Sequence, residues 1–298
     1  MRIDPVSLRL FVAVVDTGTI AAAAEREYIA PSAVSRRLSD LEDQLQTQLL
    51  QRSNRGIAPT AAGMELLGMA RSVLNDLDDI QRQMRDFSSG ERGLVRVFAN
   101  LSAITEFMPG CLRSFMVRHP QVQVKLEERI SSAVLQGVAS NAADVGLYAH
   151  GNSQADGLVS LPYRRDELVL AVPIEHALAE REHVGIREAL AYDFVGLHNG
   201  SYINQELLKA AQEQDLPFRC RMQVTSFDAL ALMVEAGMGI ALMPRLIGER
   251  FGRLFGLRIL RLDEPWAMRE LRLCVRDMSN LPRAARLFVE HLRAEACR

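Results

Sequence analysis

At 298 residues, with 48% hydrophobic and 24% charged content, the chain is long enough for two or three compact units and too ordinary in composition for wholesale disorder. A formal charge of −2 does not announce a nucleic-acid binder in bulk, so such a role needs cations sorted onto one face. No apolar run is long enough for a membrane span, no charged-then-apolar leader opens the sequence, and the four cysteines (111, 220, 274, 297) form no C-x-x-C pair; a cytoplasmic chain with buried thiols, without membrane, zinc or disulfide framework, is expected.

Asp4-Pro5 reads as a helix start, the carboxylate as cap and the proline at the first position. Leu8, Phe11, Val12 and Val15 follow at helical spacing, and Asp16-Thr17-Gly18 ends the run. Thr19 caps a short second helix with Ile20, Ala23 and Ala24 inward. Ala30 to Gln46, APSAVSRRLSDLEDQLQ, predicts a third, with the seam Val34, Leu38, Leu41 and Leu45 and with Pro31 in its first turn. Ser32, Ser35, Arg36 and Ser39 turn away from that seam. Short side chains let a backbone approach DNA, and a guanidinium fork fits guanine or phosphate. Two helices, a tight connection and a polar-tipped third make a helix-turn-helix. Residues 1–59 hold arginines at 2, 9, 26, 36, 37, 52 and 55 against acids at 4, 16, 25, 27, 40, 42 and 43, so the segment is neutral overall. Leu49 to Gln51 and Ile57 to Pro59 are expected to pair around Ser53-Asn54-Arg55-Gly56 as a wing, where Arg52 and Arg55 could hold phosphates or probe the minor groove.

Thr60 then caps a long helix. Leu66, Ala70, Val73, Leu77, Ile80, Met84 and Phe87 step by four and three throughout, and a rod of this kind runs roughly 40 Å. So narrow an apolar seam needs a partner helix, most simply its own copy. A homodimer follows, with two reading helices for two half-sites.

Ser88 to Arg92 is a short polar joint, and from Gly93 strands and helices alternate. Strands are expected at 94–99, 122–127, 144–148, 167–172, 194–197, 221–224, 239–243, 258–262 and 271–275, with helices at 104–118, 201–214, 226–236 and 281–296. That alternation indicates α/β units with parallel sheets, and the length suits two lobes. Ligands of open α/β sheets sit at the carboxyl ends of strands near helix N-termini. The polar junctions there are Asn100-Leu101-Ser102, Ser131-Ser132, His198-Asn199-Gly200-Ser201 and Thr225-Ser226-Phe227, a lining suited to a small organic anion. No G-x-S-x-G, H-E-x-x-H or phosphate-binding glycine loop is present, and the six histidines show no metal-ligand spacing, so neither an enzyme nor a cofactor is expected.

Four stretches within residues 1–89, L-R-L-F-V-A-V-V-D-T-G-T-I-A-A-A-A, P-S-A-V-S-R-R-L-S-D-L-E-D-Q-L, L-L-Q-R and P-T-A-A-G, come in a fixed order and spacing. In these the segment resembles the winged helix-turn-helix and linker helix of the LysR-type transcriptional regulators. Glu27 replaces the family's usual leucine, Ala30-Pro31 its common Ser-Gln, and Gln46 its glycine. L-x-x-F-x-x-x-H-P at 112–120, A-D-V-G-L at 143–147 and E-A-G-M-G-I-A-L-M-P-R at 235–245 extend the resemblance into the second half. It implies an all-α winged helix-turn-helix domain (1–59), a linker and dimerisation helix (60–89) and an α/β effector domain (90–298) of two Rossmann-like, periplasmic-binding-protein-like lobes. Lobe 1 would hold about 93–161 and 266–298 and lobe 2 about 162–265, with crossings near Leu161-Pro162 and Pro265. It further implies DNA contacts at Pro31, Ser32, Ser35, Arg36, Arg37, Arg52 and Arg55. A small-molecule effector would lie between the lobes against Asn100, Leu101, Ser102, Ser131, Ser132, His198, Gly200, Ser201 and Phe227. Pairing would run through Leu66, Val73, Leu77, Ile80 and Met84. The implied partners are double-stranded DNA bearing an interrupted inverted repeat, a second copy or a dimer of dimers, and RNA polymerase. Two rivals stand beside this reading on sequence alone, an α/β solute-binding or metabolic protein whose helical prefix does not bind DNA and a ligand-independent DNA architectural protein.

Overall fold

The structure, a computed structural model, describes residues 3–53, 56–89, 93–149, 151 and 157–296. Its contacts divide into two compact units, Met1–Glu91 with Ala139–Ala142 and Arg92–Val138 with Ala143–Arg298. No helix among the described residues is long and apolar enough to cross a membrane.

In the first unit α1 (Pro5–Thr17), α2 (Ile20–Arg26) and α3 (Pro31–Leu45) precede the hairpin β1 (Leu50–Ser53) and β2 (Gly56–Pro59) and the long α4 (Ala61–Ser89). The helix starts form as their residues dictate. Asp4 Oδ1 accepts the Val6 and Ser7 N–H groups (2.9 and 3.0 Å), Thr19 Oγ1 that of Ala22 (3.1 Å) and Thr60 Oγ1 that of Gly63 (3.0 Å). Phe11 and Val14, Ala23 and Ala24, Val34, Leu38 and Leu41, and Leu66, Leu67 and Ala70 form one buried core. Glu42 ties the hairpin to α3, its Oε1 accepting the N–H groups of Leu49 and Leu50 (2.8 and 3.0 Å). At Gly63 a Cβ would stand 2.1 Å from the Leu49 carbonyl oxygen, so only glycine lets α4 start against the hairpin.

The second unit opens with β3 (Gly93–Ala99), α5 (Leu101–Glu106), α6 (Met108–Arg118), β4 (Val122–Glu128), α7 (Ser131–Ala139), β5 (Val145–Ala149) and β6 (Val159–Val172). It continues through β7 (His183–Val184), α8 (Ile186–Ala189), β8 (Phe194–Leu197), α9 (Tyr202–Glu213), β9 (Cys220–Val224), α10 (Phe227–Glu235), β10 (Ala241–Pro244), α11 (Arg245–Phe255) and β11 (Arg258–Leu262). A 3-10 turn at Pro265–Ala267 leads back through β12 (Met268–Val275) to α12 (Arg283–Ala296).

Two cores make two lobes. One gathers Val95, Val97, Phe115, Leu147, Tyr163, Leu271 and Phe288, the other Leu168, Leu170, Phe194, Phe227, Leu242 and Leu260. The chain crosses from the first to the second along β6, between Tyr163 and Leu168, a few residues past the expected Leu161-Pro162. It returns between Ala267 and Leu271. β6 and β12 therefore run side by side through the junction, antiparallel, with Asp166 opposite Arg269. Their register slips by one residue at Tyr163, just after Pro162, which has no N–H to give the ladder.

The sheets are mixed rather than parallel throughout. β3 pairs in parallel with β4 and β5, and β8 with β9, whereas β12 with β5, and β10, β11 and β12 with β6, are antiparallel. The helix expected over 104–118 is two helices broken at Phe107, because Pro109 cannot donate to the carbonyl one turn back. α7 and α11 have no counterpart among the expected helices. Cys111 and Cys274 are buried free thiols and Cys220 is half-buried; Cys297 lies outside the described residues. Burial pushes the Cys111 thiol up to about 11 and that of Cys274 to about 12, which leaves both protonated and unreactive at neutral pH.

Candidate nucleic-acid interface and ligand cleft

α3 buries Val34, Leu38 and Leu41 and turns Pro31, Ser32, Arg36 and Arg37 to solvent, with Ser35 half-buried beside them. No side chain caps this helix; Pro31 has no N–H and the Ala33 and Val34 N–H groups donate to the Ala30 carbonyl (2.9 and 3.1 Å), so the Ser32 N–H is the one left at the exposed tip among the described residues. Four of the segment's seven acids are engaged elsewhere in the unit, while Glu25, Asp40 and Asp43 are exposed. Asp4 caps α1, Glu42 holds the hairpin, Asp16 pairs with Arg26 (3.5 Å) and Arg71 (2.5 Å), and Glu27 pairs with Arg26 (3.6 Å). The first two turns of α3 carry no acid, and Arg36 has no ion-pair partner within 4.0 Å among the described residues. Arg37 is shared, its Nη1 lying 3.4 Å from Asp4 Oδ1, an exposed pair of small energetic weight. Arg52 sits on β1 opposite Ile57; its side chain, and Arg55 altogether, lie outside the described residues.

Along α4 the predicted seam divides. Leu66 and Ala70 are buried in the core of their own unit, where α4 packs along α1, so Leu66 is not part of a free pairing face. From Met69 onward its own unit does not close over the face: Met69, Val73, Leu77, Ile80 and Met84 are exposed, to between 36% and 62%, at steps of four, four, three and four. Ile80 is 58% and Met84 62% exposed, which is unusual for such residues in a row on one helix.

In the second unit a cleft opens between the two cores, lined in part by Asn100, Leu101, Ser102, Ser131, His198, Ser201 and Phe227. Seven of the nine expected contacts thus share one cavity. Ser132 does not line it, because it stands about 100° round α7 from Ser131 and faces solvent. Gly200 also stands outside the lining; its φ of +88° suits glycine, and a Cβ there would lie 3.1 Å from Ile130 Cδ1. Four of the polar lining groups share a bias, beside the Glu128 carboxylate and the Arg129 and Arg269 cations that also line the cleft. Asn100 Oδ1 accepts the Ala103 N–H (2.9 Å), Ser201 Oγ that of Asn204 (3.2 Å), Ser131 Oγ that of Ala149 (3.2 Å), and Ser102 Oγ accepts from Arg269 Nη2 (3.0 Å). Each oxygen is engaged by the fold and each side chain keeps an O–H or N–H to donate. The first turns of α7, α9 and α10 add their partial positive charge from both sides.

Residues 88–297 match the model of the LysR substrate binding domain, and residues 6–64 that of the bacterial regulatory helix-turn-helix protein, lysR family. The chain belongs to the LysR family. It is a LysR-type DNA-binding transcriptional regulator with an effector-binding domain, in a family of regulators rather than enzymes. It is 27% identical over 296 residues, 97% of this chain and 90% of the relative, to the uncharacterized HTH-type transcriptional regulator YbhD of Escherichia coli (strain K12). Full-length CbnR complexed with its target DNA matches with a TM-score of 0.70 at 22% identity, over 99% of this chain and 100% of that one. The effector binding domain of QuiR in complex with shikimate matches with a TM-score of 0.60 at 15% identity, over 69% of this chain and 98% of that one. At such identities these two likenesses speak to the fold.

The LysR-type cleft also holds residues that the sequence pattern does not reveal, notably Arg269, Tyr202, Ile130 and Arg129. Arg269 has a fully buried side chain. Its Nε donates to Asp166 Oδ1 (2.7 Å), its Nη2 to Asp166 Oδ2 and Ser102, and its Nη1 has no partner among the described residues. Its guanidinium carbon lies 5.5 Å from the centre of the Tyr202 ring. Behind this pair stands Glu106 of α5, both of whose oxygens are buried with no hydrogen-bond partner within 3.5 Å among the described residues. Burial, then the nearby Asp166 charge, pushes its carboxyl up to about 8. The folded state therefore holds a proton that the unfolded chain releases near pH 4.5, so this contribution to stability is complete at low pH and is lost as pH rises towards 8. Glu106→Gln is expected to remove that slope, at most about 1.4 kcal/mol per pH unit. Urea midpoints of both proteins between pH 5 and 9 check it: the variant should match its parent at pH 5 and exceed it at pH 9.

Proposed function

We propose that this LysR-type regulator acts as a homodimer, alone or as a dimer of dimers, that binds an interrupted inverted repeat in double-stranded DNA and takes a small organic anion in its cleft. Pairing runs along α4 through Met69, Val73, Leu77, Ile80 and Met84, a face that its own unit does not close over. Ser32, Ser35 and Arg36 read the major groove beside Pro31, while Arg37, Arg52 and Arg55 hold the backbone. Such a protein works in the cytoplasm, where it meets both DNA and RNA polymerase. The observation that carries the effector reading is the donor bias of the cleft: Asn100, Ser102, Ser131 and Ser201 all commit acceptors to the fold and retain donors. His198, Leu101 and Phe227 complete the lining, and the apolar walls fit a carbon skeleton behind the anionic group. Ligand binding reaches the DNA only in so far as the anion prefers one arrangement of the lobes over the other.

Footprinting on the upstream region of its own gene tests the DNA half, and calorimetry of the full chain against paired carboxylates and their neutral amides tests the effector half. Protection of two half-sites and heat from carboxylates alone are expected. No protected tract, or equal binding of acids and amides, would refute the corresponding half. Arg36→Ala should cost roughly 1–3 kcal/mol of operator binding and relax preference at one base position, read from binding to single-substitution operators.

A further inference from the structure

The connection between α2 and α3 contains a residue that the fold does not explain. Tyr28 has φ +55°, in the left-handed region, and is 95% exposed. Its N–H donates to the Glu25 carbonyl (3.3 Å) and the Ile29 N–H to that of Ala24 (3.0 Å), the paired bonds of a Schellman helix end. Ile29 then turns inward and packs on the core of the unit. Local physics at position 28 asks for glycine or asparagine, which adopt this backbone with least strain. A large aromatic residue is strained there, and at 95% exposure its ring gains almost nothing from packing in return.

We infer that Tyr28 is a DNA-backbone anchor whose phenol donates to a phosphate oxygen at the lip of the groove read by α3. The inference rests on the DNA-binding reading above. In a helix-turn-helix the first helix crosses the backbone and the tip of the second enters the major groove, so the connection between them lies at the groove edge. Tyr28 stands three residues before Pro31 and four before Ser32, both exposed at that tip. The Schellman bonds fix its backbone, so little further ordering is needed when the phenol meets DNA. Tyrosine is among the side chains that hold phosphates by a neutral hydrogen bond. An anchor of that kind carries no sequence information and no charge.

Three variants of the full chain test the assignment by fluorescence anisotropy, on a duplex from the upstream region of its own gene and on an unrelated duplex of equal length. Tyr28→Phe should weaken binding to both duplexes by about 3- to 10-fold, with their ratio unchanged. Its dependence on salt should equal the parent's, because no cation is lost; Arg55→Ala, run alongside as the loss of a backbone-holding cation, should flatten that dependence. Tyr28→Gly should weaken binding at least as much while raising the Tm by ~2–5 °C, since glycine relieves the strained backbone. Opposite movement of affinity and Tm is the signature that a merely structural residue would not give. Parent-like binding by both Tyr28 variants, a changed ratio between duplexes, or a fall in Tm together with affinity would overturn the assignment. If the parent itself binds neither duplex, the DNA-binding reading fails first and takes the anchor with it.

Discussion

Asp166→Ala is expected to destabilise the effector-binding domain by about 3–5 kcal/mol, while Asp166→Leu combined with Arg269→Met should recover most of that loss. The reason lies in where the pair sits. Asp166 and Arg269 face each other across β6 and β12, the two strands that carry the chain between the lobes, and their side chains are 3% and 0% exposed. Removing the carboxylate leaves a buried guanidinium with only Ser102 to accept from it. Replacing both partners by apolar side chains of similar size leaves no unpaired charge, at the loss of the Arg269–Ser102 hydrogen bond, and the transfer cost of two ions disappears from the balance. Urea unfolding at fixed pH, with the slope checked for two-state behaviour, measures both variants. A loss below about 1 kcal/mol for Asp166→Ala would mean that water reaches the junction and that the two strands are not joined by charge. The single substitution also removes the anion next to Glu106, so the pH dependence ascribed to that carboxyl should shrink in the same protein.

The contrast between Arg269 and the serines shows what the chain discloses in one dimension. Ser102, Ser131 and Ser201 lie at strand-to-helix junctions, and the general rule for open α/β sheets points to such junctions from the order of elements alone. Arg269 comes from the returning strand, 167 positions after Ser102, and no local pattern joins the two. A trace of it is legible: residues 269, 271, 273 and 275 all face inward along β12, and an arginine on that buried face requires a buried partner. Its partner is hidden for the same reason, since Tyr163-Arg164-Arg165-Asp166-Glu167 has the composition of a loop yet forms the crossing part of β6. The caps of α1, α2 and α4 are readable because a cap is satisfied within three residues of itself. Leu66 is not sorted correctly by pattern, because a stepwise apolar repeat cannot say where a helix leaves its own core and begins to seek another.

That division of α4 yields the largest expected effect on function. Leu77→Glu should abolish self-association and lower affinity for a two-half-site operator by about 10²–10⁴-fold, the gain that linking two reading heads provides. Met69 to Met84 at 1.5 Å per residue is a stripe of roughly 22 Å, with Leu77 at its middle. A carboxylate there meets its own copy across a two-fold seam, where it is both desolvated and repelled. Folding of the unit should survive, because Leu77 lies outside the buried core that Leu66, Leu67 and Ala70 complete. Leu66→Ala makes the opposite prediction: a loss of about 2–5 kcal/mol in folding stability, with the pairing face left intact. Sedimentation equilibrium, thermal unfolding and operator titration on the two variants separate the roles. A Leu77→Glu chain that still sediments as a dimer and binds DNA as its parent does would show that the exposed stripe is not the seam. A Leu66→Ala chain that loses pairing while keeping its stability would show that the two stretches of α4 have been assigned the wrong way round.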